Sequence, residues 1–145
     1  MGSVYQVDGV GQMKIYLAGQ YKRRDEFRGV AVLLERAGLP CTSRWLQETG
    51  PVTEQMGDNP EDFYRSVATV DIADIDSADA ILFFSEDPNV GVVRGGRHVE
   101  FGYALAKGKK LCVIGPKENV FHCLDGVQHF ADINAFLMEH GVYIY

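Results

Sequence analysis

The sequence predicts an α/β domain: a mostly parallel sheet of about five strands with helices on both faces. Three observations carry this expectation. The runs AILFF at residues 80–84 and KLCVI at 110–114 are continuously apolar, as strands buried on both faces are. Segments with helical spacing alternate with the strand-like runs. The connections are short, and such an alternation builds a parallel sheet whose right-handed crossovers place helices on both sides.

The elements follow in order. Residues 1–12, MGSVYQVDGVGQ, read as an N-terminal extension, flexible or left over from cloning, ahead of one domain at 13–145. They lack the basic stretch and apolar run of a signal peptide. Residues 14–19 (KIYLAG) form a strand ending in a glycine turn. Residues 25–37 carry Phe27, Val30, Val32, Leu33 and Leu34 at helical spacing, closed by Gly38 and Pro40. Residues 41–46 read as a short second strand, and the polar stretch 47–59 as loop. Asn59-Pro60-Glu61-Asp62 starts a helix with a capping Asn, a proline at the first position and acids in the first turn, running to about Ser77. After the strand at 80–84 and a loop at 85–95, a helix covers 96–107 and stops at Gly108. The strand at 110–114 ends in Gly115-Pro116; a short strand at 127–130 and a last helix over 132–140 complete the chain.

Composition narrows the function. The chain has 145 residues, 46% of them apolar, enough for one domain with a real core. No apolar run approaches the roughly 20 residues that cross a bilayer, so no membrane partner is expected. The net charge of -6 lacks the basic face of a nucleic-acid-polymer binder, though a single nucleotide needs only a local pocket. Cys41, Cys112 and Cys123 are odd in number and without CxxC spacing. They point to a reducing, cytoplasmic setting with no disulfide. His98, His122, His129 and His140 show no metal-ligand spacing, so neither metal nor cofactor is expected. No strand precedes GxGxxG, and there is no phosphate-binding GxxxxGK[ST] and no GxSxG elbow.

Two carboxylates stand out. On the helix after Asn59, the row Phe63, Val67, Asp71, Ile75 is apolar except for Asp71. Asp71 either caps a neighbouring loop or serves a pocket. Glu100 sits among Val99, Phe101, Tyr103, Ala104 and Leu105 near a helix start. There it either complements the helix dipole or acts as a nucleophile that the helix N-terminus keeps ionised. Gly95 and Gly96 would let a ligand approach the backbone, and Gly102 and Ala104 would let the helix close on the sheet. Two carboxylates at one cleft are the equipment of glycosidic-bond cleavage.

IYLAG at 15–19, DIADIDSADAIL at 71–82, and HVEFGYALAKGK at 98–109 followed by LCVIGP together resemble the nucleoside 2-deoxyribosyltransferase family, including its relatives that hydrolyse nucleoside 5'-monophosphates. The resemblance implies a flavodoxin-like (Rossmann-like) fold and a retaining double displacement through a covalent intermediate on Glu100. Asp71 matches the aspartate that helps hold and protonate at the sugar and base, and Tyr16 a strand-end tyrosine that hydrogen-bonds the nucleophile. It also implies a homodimer or higher homo-oligomer with shared active sites, Asn119 being the candidate contribution from a neighbouring subunit.

The sequence departs from the family where an aspartate faces the base: that position is Arg94, and Glu86 or Asp87 is the candidate replacement. The turn Gly19, Gln20, Tyr21, Lys22, Arg23 is basic, fitting either a 5'-phosphate or a solvated turn. Trp45, beside Arg44, either stacks on a base, worth roughly 1–3 kcal/mol, or packs in the core. The expected activity is transfer of a deoxyribosyl group from a 2'-deoxynucleoside or deoxynucleotide to a free nucleobase or to water. The alternatives are a 5'-monophosphate N-glycosidase that only hydrolyses, a ribonucleotide phosphoribohydrolase, and a non-catalytic nucleotide-binding domain.

Overall fold

A computed structural model describes residues 4–6, 13–47, 57–87, 89 and 94–144. The elements run β1 (Val4–Gln6), β2 (Ile15–Ala18), α1 (Arg24–Arg36), α2 (Pro60–Ser77), β3 (Ala80–Phe84), α3 (Gly96–Ala106), β4 (Lys110–Ile114), β5 (Val127–Phe130), α4 (Ile133–Glu139) and β6 (Val142–Ile144). Short 3-10 turns occupy Tyr21–Arg23, Arg44–Gln47 and Val120–Cys123. The main sheet is parallel, in the order β2-β3-β4-β5. Separately, β1 pairs antiparallel with β6, a contact between the two ends of the chain that the sequence did not reveal. The expected loop residues 48–56, 88 and 90–93 lie outside the described residues.

Among the described residues the main sheet has four strands rather than about five. The expected strand at 41–46 makes only one bridge, Ile15 to Cys41, and then turns into the 3-10 segment. Backbone groups and then side chains of this segment meet the strand edge. Ile15 N donates to Pro40 O (2.8 Å) and Thr42 N to Ile15 O (2.8 Å). One step on, Leu17 N donates to Ser43 Oγ (2.7 Å) and the Trp45 indole N–H to Leu17 O (3.0 Å). The edge of β2 is thus satisfied without a partner strand, as buried backbone groups must be.

Strand parity assigns the layers, because successive side chains face opposite sides. Phe84 packs on Phe27 of α1 (ring centroids 4.6 Å), whereas Phe83 packs on Phe101 of α3 (5.6 Å). Helices α1 and α3 therefore cover opposite faces. Tyr16 pairs in register with Ile81, which shares Phe83's side, so Tyr16 faces α3. Burying aromatics such as Phe27 and Phe83 fully contributes about 1.5–3 kcal/mol each.

Helix α2 follows its expected start: Asn59 Oδ1 accepts from Glu61 N (3.1 Å) and Asp62 N (3.3 Å). Only its last turns are core, with Asp74 and Ile75 buried, while Phe63, Val67 and Asp71 are half-buried. The stripe read as core-facing thus emerges from the core toward its N-terminal end. Helix α3 stops where expected: Gly108 takes a φ of 70°, and Lys109 N reaches back to Ala104 O (3.0 Å). Ala104 is buried against the sheet, but Gly102 is exposed with open space beside it, so only Ala104 serves close packing. No described helix is long and apolar enough to cross a membrane.

Candidate active site

Tyr16 is fully buried on β2, and its phenol donates a hydrogen bond to Glu100 Oε2 on α3. Glu100 is the fifth residue of its helix, beyond the first turn where the unpaired N–H groups lie. The dipole effect fades over that distance, so the helix start does not hold the carboxylate ionised. Burial dominates and, with the charge of Asp71, pushes the Glu100 carboxyl up to about 8 against the opposing pull of the Tyr16 hydrogen bond. The residue as a whole is half-exposed, with its carboxyl end set deep against Tyr16. The Tyr16 phenol is raised well above its ordinary value by burial, then by the charges of Glu100 and Asp71. It remains a proton donor at neutral pH.

Asp71 therefore shares one electrostatic environment with Tyr16 and Glu100, reached from α2 on the same side of the sheet. Three residues later on α2, Asp74 was not singled out from sequence. It is buried and accepts from Arg44 N (2.9 Å) and Arg44 Nε (2.8 Å). The repeat of acids in DIADIDS was its only signal. Arg44, expected to bind substrate, pairs with Asp74 while its side chain stays largely exposed.

Trp45 belongs to the core. It is 6% exposed, its N–H is held by Leu17 O, and Phe27 packs edge-on against it (6.1 Å, 78°). Gly19 has a packing reason as well: a Cβ there would lie 2.4 Å from Phe27 Cε2. Gln20 precedes the 3-10 turn and accepts from Arg23 N (2.9 Å). Arg23 Nη1 donates to Glu86 Oε1 (2.7 Å) and Arg23 Nε to Glu26 Oε1 (3.1 Å), with the guanidinium over the Phe27 ring (4.8 Å). Its charge is balanced by two carboxylates. Asp87 is exposed and accepts from Asn89 N (2.8 Å), a local turn. At Gly95 and Gly96 a Cβ would meet nothing within 4 Å among the described residues, so their packing does not demand glycine at either.

Asn119 is held within its own chain. Its Oδ1 accepts from Phe121 N (2.9 Å), and its Nδ2 meets His98 Nδ1 at 3.3 Å. Beside it lies a polar cluster that sequence reasoning did not assemble. Arg97, 4% exposed, forks onto both oxygens of Glu118, with Nη2 to Oε1 at 2.6 Å. Glu118 Oε2 also accepts from Glu86 N (3.1 Å), and Glu118 N donates to His122 Nδ1 (3.0 Å). His122 thus carries its neutral proton on Nε2, buried against Phe83 (4.7 Å) and Phe101 (5.0 Å). Among the described residues, no group of three or more His, Cys, Asp or Glu is placed to hold a metal ion.

No family model matches the chain, and no curated protein does. Solved structures do. The CMP N-glycosidase BcmB of Clostridium botulinum aligns over 87% of this chain and 96% of its own, with 19% identity and a TM-score of 0.57. A 2-deoxyribosyltransferase from Leishmania mexicana aligns over 80% and 77%, with 18% identity and a TM-score of 0.48. At this identity, the first likeness establishes a shared fold. It accords with the flavodoxin-like α/β architecture expected from the sequence.

Proposed function

We propose that the chain is an N-glycosidic-bond enzyme acting on 2'-deoxynucleosides or deoxynucleotides by a retaining mechanism. The observation that carries this reading is the Tyr16–Glu100 hydrogen bond under the charge of Asp71. Among the described residues, the carboxyl is buried where a neutral donor and no cation meets it, beside a second acid. In this reading the two carboxyls share one proton. When the proton rests on Asp71, Glu100 is the anion. Glu100 then attacks C1' of the sugar while the bond from C1' to the base nitrogen breaks. The departing base keeps the electron pair and takes the Asp71 proton. A second base, or water, then attacks C1' and displaces the Glu100 oxygen, returning one proton to the pair. Tyr16 fixes the nucleophilic carboxylate through both steps. The backbone at Gly95 and Gly96, clear of the other described residues, fits the approach of the substrate.

Hydrolysis of 5'-monophosphates is the second reading. The fold shared with a CMP N-glycosidase and the Arg23 turn favour it. In that case the phosphate takes the place of Glu86 or Glu26 on Arg23. A homo-oligomer also belongs to the proposal. Val99 is 68% exposed and Val120 76%, on neighbouring parts of the surface linked by the His98–Asn119 contact. Such a cluster is suited to a partner subunit, and sedimentation of the purified protein tests it.

The decisive assay incubates the protein with each deoxynucleoside and each 5'-monophosphate, with and without an acceptor base, and follows release and exchange by chromatography. Exchange identifies a transferase, and release from monophosphates alone a hydrolase. A sugar adduct on Glu100 by mass spectrometry establishes the covalent route. Absence of turnover on every substrate, or full activity in Glu100→Ala, overturns the enzyme reading and leaves a nucleotide-binding domain.

A further inference from the structure

We infer that Glu118 is a positioning residue: by gripping Arg97 and the start of the loop after β3, it holds helix α3 so that Glu100 meets Tyr16. The inference rests on the proposed catalytic role of Glu100, and it assigns work to a cluster that this role leaves unexplained.

Arg97 and Glu100 are three residues apart on one helix, so they are neighbours on its surface. A constraint on Arg97 therefore sets the rotation of the turn that carries Glu100. The constraint is strong. The Arg97 side chain is 2% exposed and the Glu118 side chain 13%. The fork engages both carboxylate oxygens, and bidentate pairs of this kind fix geometry as well as charge. Arg97 also lies over the Phe83 ring (4.9 Å), which anchors it near the carboxyl end of β3.

Glu118 reaches beyond the helix. Its Oε2 accepts the Glu86 N–H, while the Glu86 side chain holds Arg23 in the turn after β2. Its own N–H is fixed by His122. One residue of the loop after β4 thus ties together the carboxyl ends of β2, β3 and β4, where ligands of open α/β sheets bind. Burying an ion pair is weak evidence of stabilisation, since apolar replacements are often as stable. A pair retained here is better explained by where it places α3. A displacement of 1 Å at a reacting group costs about a hundredfold in rate.

The test separates position from stability. Arg97→Met/Glu118→Leu removes both charges together while keeping apolar bulk, and Glu118→Gln keeps the shape but spoils the fork. Three quantities are measured: the melting temperature, the titration midpoint of Glu100 by ¹³C NMR on protein labelled at glutamate carboxyls (assigned by its loss in Glu100→Gln), and kcat and KM. The double variant is expected to melt within about 4 °C of the parent. Its Glu100 midpoint should move by about one pH unit or more, because the Tyr16 contact loosens. Its kcat should fall about tenfold or more with KM little changed. A folded double variant with the parental midpoint and kcat overturns the inference. If the double variant does not fold, Glu118→Gln decides by the same midpoint. If the parent protein turns nothing over, the catalytic reading fails separately, and the midpoint alone decides whether Glu118 positions Glu100.

Discussion

Of the three acidic side chains near Tyr16, the fold treats Asp74 and Glu100 oppositely. Asp74 is buried with its oxygens on the backbone N–H and the guanidinium of Arg44. Glu100 is buried against a phenol, and its ionisation is set by burial, Tyr16 and Asp71, none of them a cation. An acid given a cation and a backbone donor is a structural tie. An acid buried with only a neutral donor is held in a higher-energy state, and reactive groups are kept in such states. The contrast distinguishes the two sites more sharply than burial alone, since both side chains are shielded.

The largest effect should come from Glu100→Gln, which removes the proposed nucleophile. Turnover should fall by at least about a thousandfold, measured by base release. Stability should move the other way. The Glu100 carboxyl is raised to about 8 in the fold against 4.5 for the ordinary group. Between those values the unfolded chain releases a proton that the folded protein retains. Stability is therefore full below about pH 4.5 and declines as pH rises to about 8. The decline is on the order of 2 kcal/mol. Glu100→Gln should lack this decline and melt above the parent at pH 8, as scanning calorimetry at pH 5 and pH 8 would register. Equal pH slopes in the two proteins would remove the contrast with Asp74.

Asp74→Ala should do the reverse, lowering stability with little change in turnover per folded molecule. It strands Arg44 N and the Arg44 side chain, and the Arg44 side chain is largely exposed, so water compensates part of the loss. A cost of about 1–3 kcal/mol follows, readable from urea denaturation. A loss of activity with unchanged stability would make Asp74 part of the chemistry instead.

Most of the fold was legible because its signals are local. The runs at 80–84 and 110–114 are apolar throughout, as parallel strands covered on both faces must be. The starts and stops of α2 and α3 are written in Asn59-Pro60 and Gly108. What was not legible depends on groups far apart in the chain. Whether the edge of β2 meets a strand or the side chains of Ser43 and Trp45 is decided by tertiary contacts. Arg97 and Glu118 are 21 positions apart, and no spacing rule joins them. Tyr16, Asp71 and Glu100 were found through pattern and resemblance. The rise of the Glu100 carboxyl was not foreseen, because the helix start promised the opposite effect.

The pH profile offers a finer probe. Because the departing base takes the one proton of the pair, kcat/KM should fall as pH rises through about 8, where that proton is lost. The two neighbours should move that limb in opposite directions. The Tyr16 hydrogen bond favours the anion, so Tyr16→Phe should shift the Glu100 midpoint upward. The Asp71 charge opposes the anion, so Asp71→Asn should shift it downward. NMR titration of the unliganded variants reads both shifts without requiring activity. Parallel shifts would show that the three groups do not form one coupled site.

The smallest effect should come from Ser43→Ala, at the far edge of β2. The Ser43 hydroxyl accepts Leu17 N at 2.7 Å within a buried setting. Removing it leaves a buried donor unmet, at a cost of about 1–2 kcal/mol, visible as a lower melting temperature. Because Leu17 follows Tyr16, the variant also tests whether the edge contributes to the site. Leu17 faces away from α3 by strand parity, and Tyr16 is held on its own side by Glu100. The Glu100 midpoint should therefore remain where it is while stability drops. A shift in that midpoint would mean that the side-chain edge of β2 aims Tyr16, and that Glu100 owes its state to both ends of the strand's surroundings.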